Sequence, residues 1–195
     1  MPNWCSNGIT LRHADPTMID RVLKGKDSLL QEFIPCPQEL MDAVANFSTN
    51  DAMVAKYGFS SWYDWSIANW GTKWDFSLEN VDRPDANTVT AAFDSAWAPP
   101  INAYEKLCAL GFEVEAMYYE PGMCYVGKFT GNEDDSNDEC YEYGGATSET
   151  VRDMIGEELD DYFCISESMA DYEAENQEID LDDGLSAINE QEEQK

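Results

Sequence analysis

Basic residues are scarce in this chain: 11 lysines and arginines stand against 40 aspartates and glutamates in 195 residues, a formal charge of −29. A charge of that size opposes contact with nucleic acid or an anionic membrane and attracts basic surfaces. Histidine is almost missing. His13 is the single one, in the polar turn "RHADP", where it reads as an exposed loop residue and leaves Ser-His-Asp or Cys-His chemistry with one candidate base. The six cysteines, Cys5, Cys36, Cys108, Cys124, Cys140 and Cys164, include no CxxC pair, so a zinc site has poor ligand spacing. No apolar run reaches the ~20 residues that cross a bilayer. The opening "MPNWCSNGITLRH" lacks the basic start and apolar core of a signal peptide. The expected location is the cytosol of the host cell, with reduced thiols, and Cys108 and Cys124 as core fillers.

Ligand loops are lacking as well. "YGG" at 143–145 has neither the Walker spacing nor its Lys-Ser/Thr end. "DLDDG" at 180–184 misses the EF-hand pattern, because Gly184 would require an acid at position 179 and Ile179 stands there. Neither a cofactor nor a specific metal site is expected.

What the chain has in excess is acid, unevenly spread. Residues 1–130 carry 17 acidic and nine basic side chains, and residues 131–195 carry 23 and two. The break falls at "TGNEDDSNDEC".

Along the first part, Ile9 and Leu11 alternate with polar neighbours as a strand. "ADPTMIDRVLKGKDSLLQEFI" predicts helix, with Asp15 as cap, Pro16 in the first turn and a break at Gly25. A short helix from Gln38 follows. In the aromatic segment, Ser60 or Ser61 caps a helix carrying Trp62 and Trp65, which Gly71 ends. "KWDFSLENV" and "TVTAAFDSAW" alternate with period two and predict a hairpin around the loop "DRPDAN". "APPINAYEKLCALG" predicts a helix with Leu110 on its apolar face, and "FEVEAMYYE" and "MCYVGKFTG" predict strands joined at Pro121–Gly122. "DECYEYGG" adds an edge strand. "SETVRDMIGEELDDYF" starts like a capping box and predicts one helix. From about Ser166 the chain is acidic, aperiodic and expected to be flexible, since it cannot offset its ordering entropy by burial.

Strand-helix-strand-strand-helix-strand is the ferredoxin-like plan. The expected architecture is α+β: a ferredoxin-like antiparallel sheet with helices on one face, an aromatic helical insertion and an acidic C-terminal extension. The expected boundaries are a domain over 1–130, an acidic strand/helix extension packed on it over 131–165, and a flexible acidic tail over 166–195.

Three motifs, "MPNWCSN", "NWGTKWD" and "F.SAWAPP", resemble the YubB-type ferredoxin-like proteins of bacteriophages and plasmids. The resemblance covers residues 1–130 and leaves the acidic third outside it. It implies a ferredoxin-like domain and a mobile-element origin, and supplies no catalytic residue. Its motif residues Trp4, Cys5, Asn7, Asn69, Trp70, Gly71, Trp74 and Trp97 are expected to build a structural corner where strand ends meet. The other reading is an aromatic recognition surface of the kind that stacks single-stranded RNA. The strands lack the cations to follow a phosphate backbone, with Lys73 and Lys128 isolated among acids.

Three function classes remain. The first is a DNA-mimicking inhibitor of a basic, nucleic-acid-binding host defence complex of restriction or CRISPR type. Its partner surface would be Glu133, Asp134, Asp135, Asp138, Glu139, Glu142, Asp153, Glu157, Glu158, Asp160 and Asp161. The second is a non-enzymatic interaction or regulatory module without mimicry. The third is an enzyme using carboxylates, which requires a pocket holding a carboxyl of raised pKa.

Overall fold

The structure, a computed structural model, describes residues 2–42 and 50–176. Backbone compactness divides the chain into Met1–Cys140 and Tyr141–Lys195, so the acidic residues 131–140 fall in the first unit, ten positions beyond the boundary expected from charge.

In the first unit, β1 (Trp4–His13) is followed by α1 (Pro16–Lys24), α2 (Leu29–Phe33), α3 (Gln38–Asp42), α4 (Asp51–Tyr57) and α5 (Trp62–Trp70). Then come the hairpin β2 (Glu79–Asp85) and β3 (Thr88–Ala96), α6 (Ile101–Ala109), β4 (Phe112–Glu120), β5 (Tyr125–Gly131) and β6 (Ser136–Glu142), which runs across the boundary. The sheet order is β2-β3-β1-β4-β5-β6. Strand β1 is antiparallel to both β3 and β4. The inner order β2-β3-β1-β4, with crossovers through α1–α5 and through α6, is the ferredoxin-like arrangement, and β5 and β6 extend it.

One face of this sheet makes the core. Ile9 lies opposite Ala91 and Ala116, and Leu11 opposite Val89 and Val114. They pack with Ile19 and Val22 of α1, Leu30 and Phe33 of α2, and Tyr104 and Leu107 of α6. The alternate positions Ser6, Thr10, Arg12, Thr88 and Thr90 are half-exposed on the other face.

Local chemistry follows the sequence in several elements. Asp15 accepts from the Thr17 amide at 2.9 Å and caps α1. Helix α5 is capped by Ser61 and ends at Gly71, whose φ of +81° is the left-handed conformation glycine adopts at no steric cost. A Cβ there would meet the Ile101 and Asn102 amides at 3.2 Å.

Several expectations are corrected. Residues 74–78 are not a strand, and β2 starts only at Glu79. The Asp75 carboxylate accepts from the Leu30 and Gln31 amides, both at 2.9 Å, and from the Ser28 hydroxyl at 2.6 Å. It thus caps α2 from a distance in sequence, and the backbone of Phe76 and Leu78 pairs with Leu29 and Lys26 instead of with β3. Period-two burial survives only at Phe76, which stacks on Phe93 at 3.7 Å, and at Leu78, while Trp74 is exposed. Most of the expected loop "DRPDAN" belongs to β2, leaving Ala86–Asn87 as a two-residue turn. Pro84 fits there because β2 is an edge strand. Leu110 lies past the end of α6 and is exposed, and Cys124, in the turn before β5, is half-exposed.

In the second unit, α7 (Val151–Ile155) and α8 (Glu157–Phe163) replace the single expected helix. Gly156 separates them at φ +86°. A further helix covers residues 165–176, where flexibility was expected. Ile165 is fully buried, and Glu173 accepts from the Ser148 amide and hydroxyl at 2.9 and 2.6 Å. The rest of the expected tail, 177–195, lies outside the described residues.

Candidate functional site

Acidic residues of each unit and an aromatic surface of the first compete for function. In the first unit, Glu133, Asp134, Asp135 and Asp138 are exposed in and just before β6. Asn132 Oδ1 accepts from the Asp134 and Asp135 amides and shapes that turn. Asp138 accepts from the Tyr118 hydroxyl at 2.7 Å, which ties β6 to the sheet. Glu139 is half-buried and 3.7 Å from Lys128.

In the second unit, Glu142, Asp153, Glu157, Glu158 and Asp161 are exposed. Asp160 is not: it is 2% exposed, which removes it from any partner surface. Its carboxylate accepts from the Ser166 amide and hydroxyl, both at 2.7 Å, and from Arg152 at 2.8 Å. Burial works to raise its pKa, but Ser166 and Arg152 together hold it below the usual carboxylate range. Arg152 also reaches Glu157 at 2.8 Å and Asp161 at 2.7 Å. The "EELDD" segment is therefore organised around one guanidinium.

The aromatic surface grows from the three motifs. Below it lies a buried polar network. Asn7 donates to the Cys5 carbonyl at 2.7 Å and the Ser95 hydroxyl at 2.9 Å, and accepts from the Tyr104 hydroxyl at 3.3 Å. Ser95 donates to the Ala98 carbonyl, and Thr72 to the Ala96 carbonyl. Burial pushes the Cys5 thiol up to about 12, so it stays protonated. Trp70 is buried edge-to-face on Trp65 and donates to the Ile34 carbonyl. Asn69 accepts from Lys106 and donates to the Trp65 carbonyl. These residues are held inside the fold by side-chain hydrogen bonds.

The other three motif tryptophans are exposed. Trp4, Trp74 and Trp97 are 48%, 38% and 51% exposed. Trp4 and Trp74 are in ring contact at 6.2 Å. The Trp97 amide donates to the Asn3 carbonyl next to Trp4, and the Trp97 carbonyl accepts from the Tyr125 hydroxyl. Trp97 holds φ +74°, a conformation that costs a non-glycine residue on the order of 1 kcal/mol. Lys73 lies 4.3 Å from the Trp74 ring centroid and 5.9 Å from that of Tyr63, itself exposed on α5. At ~200 Å² per ring, the exposed parts of the four rings add up to roughly 350 Å² of aromatic surface, within the range of the largest apolar patch on a typical monomer. The sequence offered no signal that separates Trp70 from the other three, since all sit beside turns.

Among the described residues, no group of three or more His, Cys, Asp or Glu side chains could hold a metal ion. A cleft of about 460 Å³ is lined by Arg12, His13, Asn87, Gly111 and Glu113. Its cation is engaged, with Arg12 2.9 Å from Glu115 and 3.5 Å from Glu113. His13 accepts from the Asp15 amide and faces the Leu110 carbonyl at 3.2 Å. No described helix is long and apolar enough to cross a membrane.

Sheet order and crossovers together define a ferredoxin-like α+β domain. Residues 73–193 match the family model for the ferredoxin-like domain in Api92-like protein, and the chain belongs to that family. The matched span takes in the acidic third that the three motifs left outside, so the acid belongs to the family domain. A similar solved structure is the crystal structure of the protein api92 from Yersinia pseudotuberculosis, 14% identical, with 75% of this chain and 99% of that chain covered and a TM-score of 0.47. No curated protein matches the chain.

Proposed function

We propose that this chain is a non-enzymatic accessory protein of YubB type, carried by a phage or plasmid, that acts in the host cytosol as an acidic DNA mimic. It would occupy the DNA-binding surface of a basic host defence complex of restriction or CRISPR type. The carrying observation is the display of carboxylates over residues 133–161 in a chain whose last 65 residues hold two cations. DNA presents one charge per ~1.7 Å of axis, and a mimic would have to hold its carboxylates in rows that approach that density. Such a field also speeds encounter with a cationic groove. On the face carrying Ser6, Thr10, Thr88 and Thr90, the cations Arg12 and Lys128 are engaged by Glu115 and Glu139, which supports a protein partner over direct contact with a phosphate backbone.

The test is capture of host proteins on the tagged chain from nuclease-treated lysate, washed at low and high salt. Mimicry predicts a nucleic-acid-binding complex that is shed by high salt and displaced by duplex DNA. A partner that survives high salt and ignores DNA overturns it. One observation favours a second reading, an interaction module without mimicry: the exposed Trp4, Trp74 and Trp97. In that case charge reversal at Asp134, Asp135 and Asp138 leaves binding intact.

A further inference from the structure

We infer that the Trp4–Trp74–Trp97 platform takes arginine side chains of the protein partner by cation–π stacking. The inference rests on the reading that the partner is basic, and it assigns that partner a second, chemically distinct contact. Three observations carry it.

The first is that the platform is built and held open. The network of Asn7, Ser95 and Tyr104 is buried beneath it. The backbone of Trp97 is held on both sides, by Asn3 and by Tyr125. Yet its ring is half in solvent. A ring needed only for packing has no reason to be displayed at the cost of a left-handed backbone.

The second is that the platform already holds a cation. Lys73 extends over Trp74 and towards Tyr63, and among the described residues it makes no ion pair, in a chain with 40 carboxylates. The faces of these rings therefore compete with carboxylates for an ammonium, as the quadrupole of tryptophan allows. Trp4 and Trp97 offer further indole faces with no cation of this chain over them among the described residues.

The third is charge complementarity. The chain's net charge draws cationic partners. Asp94, paired in register with Ser6 and three residues from Trp97, adds an exposed carboxylate on the adjoining strand. Arginine suits this setting better than lysine, because its planar guanidinium stacks on an indole while its N–H groups reach a carboxylate.

The experiment titrates the full-length chain with a short arginine–glycine repeat peptide and with its lysine–glycine counterpart, at low and high salt, by tryptophan fluorescence and calorimetry. The arginine peptide is expected to bind about fivefold more tightly than the lysine peptide, with the difference persisting at high salt. Trp97→Leu keeps an apolar side chain but removes the quadrupole, so it should abolish the preference, and Trp97→Phe should restore part of it. Trp4→Leu, in regular strand backbone, gives the same readout free of the Trp97 conformation. Unchanged urea midpoints establish that the variants fold. If both peptides bind equally and salt sheds them equally, the platform inference falls and the acidic-surface reading stands. If neither binds at low salt, both fall. If the leucine variants keep the arginine preference, the platform is not its source.

Discussion

Asn7 shows how much one residue carries in this fold. It occupies a position that the period-two pattern of Cys5, Ile9 and Leu11 reserves for an apolar side chain, yet it is 3% exposed. Both ends of its amide are used, with Nδ2 bonded to Cys5 and Ser95 and Oδ1 to Tyr104. Removing it strands the Tyr104 hydroxyl, itself 1% exposed. Asn7→Ala is therefore expected to lower the unfolding free energy by about 2–3 kcal/mol, read as a drop in the urea midpoint at unchanged slope. A midpoint within error of the parent would mean that water replaces the amide and that the network is dispensable. The motif "NWCSN" marked Asn7 as notable, but its partners come from β3 and α6. No spacing in the sequence brings those elements to it.

At the scale of elements, the helices of the second unit depend on one buried carboxylate. Asp160 in α8 joins Arg152 of α7 to Ser166 beyond α8, and Arg152, itself partly exposed, also reaches the exposed Glu157 and Asp161. Its carboxyl is held below its ordinary value. The stabilisation is thus complete at neutral pH, where the ordinary carboxyl pKa of ~3.9 is well exceeded, and is lost as pH falls through the lower folded-state value. Asp160→Asn should cost about 2 kcal/mol at neutral pH and progressively less in that acid range. Helical circular dichroism followed against urea at several pH values checks this, and a cost that does not change with pH would rule out the charged form as the stabilising one. The capping box expected at Ser148 does not form, since α7 starts after Thr150 without a side-chain cap and the Ser148 hydroxyl donates to Glu173, and the split into two helices was only half legible, because Gly156 in "MIGEEL" reads equally as an interruption or as a tolerated glycine. Asp75 makes the same point at α2. It alternates with Trp74 and Phe76 like an outward strand residue, and only the approach of residues 28–31 turns it into a cap.

For the whole molecule, a charge of −29 opposes compaction. The folded chain brings its carboxylates closer than the unfolded chain does, and salt screens that repulsion within a Debye length of ~8 Å at physiological ionic strength. Added monovalent salt should raise the thermal midpoint, and relief of about 1 kcal/mol corresponds to ~2–4 °C for a chain of this size. A falling midpoint would show that ion pairs such as Arg21–Glu32 and Arg152–Asp160 outweigh the general repulsion. The same field would draw the proposed cationic partner, and the proposed tryptophan contact would be screened less by salt than the carboxylate contacts.

The sequence by itself determined the order of the ferredoxin-like strands and of the helices α1, α5 and α6, because period-two and helical patterns are local and the caps at Asp15 and Ser61 lie beside the helices they start. It determined the charge and its concentration after residue 130 as well. Tertiary structure decided everything that depends on which faces meet. It buried Trp70 and left Trp4, Trp74 and Trp97 in solvent, although all four flank turns. It drew Asp160 out of an acidic row and into a pair with Arg152, and it turned residues 74–78 from a strand into the cap of a distant helix. Side-chain exposure and carboxylate partners are properties of long-range packing, and local periodicity carries no information about them.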